Sequence, residues 1–104
     1  MTNEEIEQLS LLEQNISTVV NQKQQYYKQL LEVDNALLAI ENKEEAYQII
    51  GTLMIKKTSQ ELKKDLEEKK KIFEIKHKTL AKQEEELRKQ AKKLQEKVVA
   101  SLDA

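Results

Sequence analysis

The first 40 residues carry an apolar repeat without a slip. Leu9, Leu12, Ile16, Val19, Lys23, Tyr26, Leu30, Val33, Leu37 and Ile40 succeed one another at alternating spacings of three and four, and only Lys23 in that series is polar. Such steps return a side chain to one face of a helix, and their sustained alternation is the pattern with which one helix packs along another. Nothing interrupts it, because the chain of 104 residues holds one glycine and no proline. A composition 36% charged and 4% aromatic suits long solvated helices better than a globular core. The length is that of one small domain, which excludes a multidomain enzyme.

A second segment repeats Leu66, Phe73, Leu80, Leu87 and Leu94 at intervals of seven, with Leu62 leading in. Three residues after Leu66 and after each later member fall Lys69, Lys76, Gln83, Gln90 and Lys97, so this seam is expected to be half apolar. Long Lys and Gln stems can cover a neighbouring helix while their heads stay in water. Each helix is expected to span roughly 40 residues, or about 60 Å, and the shape to be elongated. Folding the second seam antiparallel onto the first pairs Ile40 with Leu66, Val33 with Phe73, Tyr26 with Leu80, Val19 with Leu87 and Leu12 with Leu94. Lys23 then falls opposite Gln83, a polar layer that disfavours slipped pairings.

Between the two segments the repeat stops. Tyr47-Gln48-Ile49-Ile50-Gly51-Thr52-Leu53-Met54-Ile55-Lys56 is rich in β-branched residues and holds the only glycine. Gly at the first central position suits a two-residue type II′ hairpin flanked by Ile50 and Leu53. The following Thr58-Ser59-Gln60-Glu61 reads as a capping box that opens the next helix. One domain over residues 1–104 is therefore expected, with a helix at 1–43, a β-hairpin at 44–57 and a helix at 58–104. The alternative is a continuous helical loop through 49–56.

Two features are left without partners within the chain. The hairpin has Gln48, Ile50, Leu53 and Ile55 on one face, and Tyr47, Ile49, Met54 and Lys56 on the other. A lone two-stranded hairpin is marginal in water, and its open edges invite further strands, which favours assembly through the hairpins. At the far end of the coil, Ile6, Leu11, Val98, Val99 and Leu102 exceed what the seam needs and share a fraying terminus with Leu9, Leu12 and Leu94. An exposed apolar patch on a polar stalk usually marks a binding surface; the alternative is that these residues zip the open end closed or are scattered over the surface.

Other function classes fare worse. Residues 1–45 hold 3 Lys against 9 acids and residues 46–104 hold 15 Lys/Arg against 10 acids, so the halves carry −6 and +5. That asymmetry suits two segments lying side by side. Nucleic-acid binding by the basic half is opposed by acids interspersed among its lysines, as in Glu67-Glu68-Lys69-Lys70-Lys71. There is no Cys for thiol or metal chemistry. The single His77 reads as solvent-facing beside the seam, and Glu84, Glu85 and Glu86 point around a helix instead of converging on a metal. One glycine builds no phosphate loop. No enzyme, no cofactor, no nucleic acid and no membrane are expected, and with neither signal peptide nor long apolar run the chain is expected to be soluble and cytoplasmic.

The stretch Glu45-Ala46-Tyr47-Gln48-Ile49-Ile50-Gly51-Thr52-Leu53-Met54-Ile55-Lys56 resembles the hairpin of prefoldin subunits of the β type: an aromatic, two residues, an aliphatic, Gly, a small residue, then aliphatics ending in a charge. Asn21-Gln22-Lys23-Gln24-Gln25 and Asp34-Asn35-Ala36-Leu37 agree with flanking stretches of that family, and the likeness covers essentially the whole chain. One hairpin between two long helices distinguishes β-type from α-type subunits, which carry two. The resemblance implies a mainly α fold, a long antiparallel coiled-coil hairpin whose central β-hairpin joins an intersubunit β-barrel. It implies a heterohexamer of two α-type and four β-type subunits. Its coiled-coil tips would capture unfolded polypeptides without ATP and deliver them to a group II chaperonin. Carried over by position, client contacts fall on Ile6, Leu9, Leu11, Leu12, Ile16, Leu94, Val98, Val99 and Leu102, and assembly on Tyr47, Ile49, Ile50, Leu53, Met54 and Ile55. The other reading is a coiled-coil scaffold or tether that binds one folded partner.

Overall fold

Helix formation starts at a side chain. The Thr2 hydroxyl accepts the Glu5 N–H at 3.1 Å, and the Thr2 amide donates to the Glu5 carboxylate at 3.4 Å. This reciprocal cap satisfies two of the amides that a helix start leaves without partners. The computed structural model describes residues 2–103, and the expected outer limits at residues 1 and 104 lie outside them. The element order is α1 (Asn3–Ile40), β1 (Glu45–Ile50), β2 (Leu53–Thr58) and α2 (Ser59–Asp103). The fold is thus two long helices with an antiparallel two-stranded hairpin between them, and the helical-loop alternative for 49–56 does not occur.

α1 ends at Ile40, short of the expected residue 43. Asn42 takes a left-handed φ of 64°, and the Lys43 N–H turns back to the Ile40 carbonyl at 3.1 Å. Asn tolerates that conformation better than other side-chain-bearing residues, so it stops the helix in place of glycine. At the other junction Thr58 has two duties. It pairs with Glu45 as the last residue of β2, and its hydroxyl accepts the Glu61 N–H at 3.2 Å to start α2. The Ser59 N–H donates to the Glu44 carbonyl at 3.0 Å and closes the base of the hairpin.

The α1 seam is borne out at all ten positions from Leu9 to Ile40: none is exposed, and Val33 is buried. The α2 seam needs a correction. Leu62, Leu66, Phe73, Leu80, Leu87 and Leu94 are covered as expected, but Lys69, Lys76, Gln83, Gln90 and Lys97 are exposed. The covered residues between the leucines are Lys70, His77, Glu84, Ala91 and Val98, each one position later. A column repeating every seven residues is compatible with either phase. Packing selects the phase that brings a small Ala91 and an apolar Val98 inside and sets Lys70 and Glu84 against opposite charges on α1. His77 is accordingly half-buried, not solvent-facing.

The chain forms two compact units, one from the residues up to Gln25 with those from His77 onward, the other from Tyr26 to Lys76. In the Tyr26–Lys76 unit, Val33 and Leu62 are buried, and the rings of Tyr26 and Phe73 lie 6.0 Å apart at 38°. The Lys76 ammonium sits 5.5 Å from the Tyr26 ring centre, a cation–π contact made by an otherwise wet side chain. Lys70 meets Asp34 at 2.9 Å, where the expected register put Ile72. In the other unit Ala91 and Val98 are buried, and Lys23 meets Glu84 at 2.6 Å, one residue past the expected Gln83. Long side chains span such offsets, so the antiparallel pairing stays close to the expected one.

The corrected seam separates two neighbouring positions. Ala91→Glu puts a carboxylate into a buried site and is expected to cost at least about 2 kcal/mol, whereas Gln90→Glu should stay within about 0.5 kcal/mol. Urea unfolding of the two variants checks this, and equal midpoints would return Gln90 to the seam.

Candidate functional site

A residue in a strand alternates sides, so the hairpin register decides which side chains share a face. Ile50 lies opposite Leu53, Gln48 opposite Ile55 and Ala46 opposite Lys57 on one face; Ile49 lies opposite Met54 and Tyr47 opposite Lys56 on the other. Both faces agree with the sequence reading. Gly51 has φ +59° while Thr52 stays at negative φ, the signature of the expected type II′ turn. A Cβ at Gly51 would meet nothing within 4 Å, so the backbone angle, not crowding, requires glycine there.

The six hairpin residues expected to mediate assembly (Tyr47, Ile49, Ile50, Leu53, Met54 and Ile55) are all exposed, from 39% at Ile55 to 70% at Ile49. Cover is confined to the base of one face, where Ala46, Gln48 and Lys57 are partly enclosed. The Lys57–Asp65 pair at 3.2 Å adds a polar tie at that base, and the exposed Lys56–Glu45 pair at 3.1 Å lies on the opposite face. The open edges of a two-stranded sheet suit further strands, and apolar side chains on both of its faces give such an assembly surface to bury.

The second surface belongs to the unit that contains the chain ends. Ile6, Leu11, Val99 and Leu102 are exposed, and Leu9, Leu12, Ile16 and Leu94 are partly covered in the seam. Val98 is 4% exposed, packed inside and presenting no surface. One-residue phase shifts on α2 explain the difference: moving the seam from Lys97 to Val98 buries the latter and leaves Val99 outside.

A charged layer interrupts the apolar seam of this unit. The Lys23 ammonium donates to Glu84 Oε1 at 2.6 Å, and Arg88 Nε donates to Glu84 Oε2 at 2.8 Å. Both carboxylate oxygens are therefore engaged. First the Lys23 bond and then the Arg88 bond hold the Glu84 carboxyl below its ordinary value of 4.5. Glu85 instead turns to Lys89 at 3.4 Å, so adjacent acids diverge as expected. In the Tyr26–Lys76 unit the hydrogen bond to Asp34, reinforced by its charge, raises the Lys70 pKa.

Sequence reasoning missed a third set. Tyr27, Leu31 and Leu38 on α1 and Ile72 and Ile75 on α2 are exposed although large and apolar. The available signal was their position: each lies off the seam of a helix otherwise lined with polar residues.

Among the described residues no helix is long and apolar enough to cross a membrane. A family model described as "Prefoldin subunit" matches residues 3–103. No curated protein matches the chain. Among solved structures, the prefoldin beta subunit from Thermococcus strain KS-1 is similar, with a TM-score of 0.89 and 30% sequence identity over 97% of this chain and 91% of that one.

Two measurements test this geometry. Gly51→Val forces a β-branched residue to positive φ and is expected to cost on the order of 1–2 kcal/mol in urea unfolding; no loss would mean that the turn relaxes freely. Glu84 has a folded pKa below its unfolded one, so its contribution is complete above about pH 4.5 and is lost as pH falls through the lowered folded value. Glu84→Gln should therefore be about 1 kcal/mol less stable than the native chain at neutral pH, with the gap closing below about pH 4.5. A gap that is constant across pH would sink this assignment.

Proposed function

The chain belongs to the prefoldin subunit family and is of the β type, and from that premise we propose that it is an ATP-independent holdase subunit capturing unfolded polypeptides at its coiled-coil ends. The family is one of non-enzymatic chaperone subunits that assemble with other prefoldin subunits, so the chain's general role is that of a chaperone subunit. The finer reading has four parts. Tyr47, Ile49, Ile50, Leu53, Met54 and Ile55 join hairpins of neighbouring subunits into a β-barrel. Two α-type and four β-type subunits make the complex. Clients meet Ile6, Leu11, Val99 and Leu102, with Leu9, Leu12, Ile16 and Leu94 behind them. The complex works in the cytoplasm and passes clients to a group II chaperonin.

The observation that carries this reading is the exposure of Ile6, Leu11, Val99 and Leu102 in the unit holding both chain ends. An unfolded client has no fixed shape, so recognising it takes small apolar contacts that tolerate misfit. Each contact is feeble, and several arms joined in one complex raise the local concentration for one another. Release then needs only competition from a partner with more sites. Val98 has no place in this surface, because reaching it would require opening the seam.

The test is light scattering from a chemically unfolded protein diluted into buffer with the chain co-assembled with an α-type subunit. Serine at Ile6, Leu11, Val99 and Leu102 is expected to leave assembly intact and to raise the complex needed for suppression on the order of tenfold. Equal suppression by the serine variant would place the client surface elsewhere.

A further inference from the structure

One side of the unit that holds the chain ends carries a groove between the helices. It encloses about 300 Å³ and is lined by Glu13 and Ile16 of α1 and by Arg88, Ala91, Lys92 and Gln95 of α2. Seven residues along a helix return to nearly the same face, so this side can be followed outward to the ends. One heptad on, Glu13 gives way to Ile6, Lys92 to Val99 and Gln95 to Leu102. Among the described residues, three of the four exposed apolar side chains near the ends therefore continue this groove. Leu11 does not. It lies five residues from Ile6 and about 140° around α1, with exposed Gln8 and Asn15 one turn to either side.

Further in, the groove changes from apolar to charged. Lys92 is exposed and forms no ion pair among the described residues. The Arg88 side chain is 58% exposed although its Nε is bonded to Glu84. Glu13 is the acid on the opposite wall. Taken with the charged layer beside them, Lys23, Arg88 and Lys92 face Glu13 and Glu84, a net +1 that favours an anion. Lys92 lies about 10.5 Å inward from Val99, a distance that an extended chain covers in about three residues. We propose that this groove takes an extended segment of an unfolded polypeptide. Its apolar side chains lie against Ile6, Val99 and Leu102, and an acidic side chain about three residues along meets Lys92 and Arg88. The inference rests on the reading that clients are captured at the coiled-coil ends. It names the segments preferred there, apolar runs flanked by an acid, and leaves Leu11 out of the contact.

Fluorescence anisotropy on the chain co-assembled with an α-type subunit tests it. The probes are short unstructured peptides that share one apolar run and differ in its flank: aspartate, serine or lysine. The aspartate flank is expected to bind about fivefold tighter than the lysine flank at low salt, with the preference fading at high salt. Lys92→Glu is expected to reverse that order while the serine-flanked peptide binds as before. Ile6→Ser with Val99→Ser should weaken all three peptides, and Leu11→Ser none. All four positions are exposed, and circular dichroism checks that the variants keep their helices. Equal affinity for the aspartate and lysine flanks overturns the inference, and so does a preference that survives Lys92→Glu or a loss caused by Leu11→Ser. If no peptide binds, or if Ile6→Ser with Val99→Ser changes nothing, the capture reading itself fails and this inference with it.

Discussion

Each helix in this chain buries one stripe, and the other helix is what it buries that stripe against. That single seam is the constraint on which the rest depends. It explains why the buried residues are so few (Val33, Leu62, Ala91 and Val98 among those described) and why most seam positions are only partly covered. A two-helix seam shields each side chain from one direction, so stability must come from length and repetition. Long runs free of proline and glycine interior to the helices are then a requirement, and the one glycine is spent where the backbone must reverse at φ +59°.

A seam of repeated aliphatic layers also carries charges at a few places, and their placement follows from what faces them. Lys23 sits within an otherwise apolar α1 series, and Glu84 answers it while holding Arg88 with its second oxygen. Asp34 is answered by Lys70. A half-buried charge without its partner would destabilise the pair of helices, so these ties favour the phase in which both are satisfied. The same phase determines that Val98 is inside and Val99 outside. Which apolar residues stand exposed near the chain ends is thus a consequence of how α2 is rotated, and the Lys23–Glu84 tie, about four turns from Val98, favours that rotation.

Much of this was legible in the residues alone, and the exceptions have identifiable causes. The α1 seam reads cleanly because nine of its ten members are apolar and any other phase would bury polar residues. The hairpin reads cleanly because Gly51 stands between β-branched runs. The intermediate positions of α2 do not, since both candidate columns are mostly polar: Lys69, Lys76, Gln83, Gln90 and Lys97 against Lys70, His77, Glu84, Ala91 and Val98. Only Ala91 and Val98 distinguish them, and periodicity anchored on the leucines gives these two no extra weight. The Asn42 stop was missed because a left-handed asparagine leaves no mark in an apolar pattern. The exposed apolar patches on the hairpin and near the chain ends were legible as an excess of apolar residues, but not which members of the excess the seam would absorb.

The distribution of exposed apolar surface is the strongest link between fold and role. Side chains as large as Leu38, Tyr47, Ile49 and Met54 standing in water lower solubility, and a chain that worked alone would gain by replacing them. Among the described residues, the Tyr26–Lys76 unit concentrates eleven of the fifteen large exposed apolar ones, and the unit with the chain ends has the other four. Strand edges and ridged helix faces have fixed shapes, which suits a permanent neighbour with a complementary fixed shape. Four exposed side chains divided between two helices beside the chain ends offer no such template, and they suit a partner without shape. The proposed division of labour, with one unit for assembly and the other for transient capture, follows from that contrast in the distribution of exposed apolar surface as much as from the family to which the chain belongs.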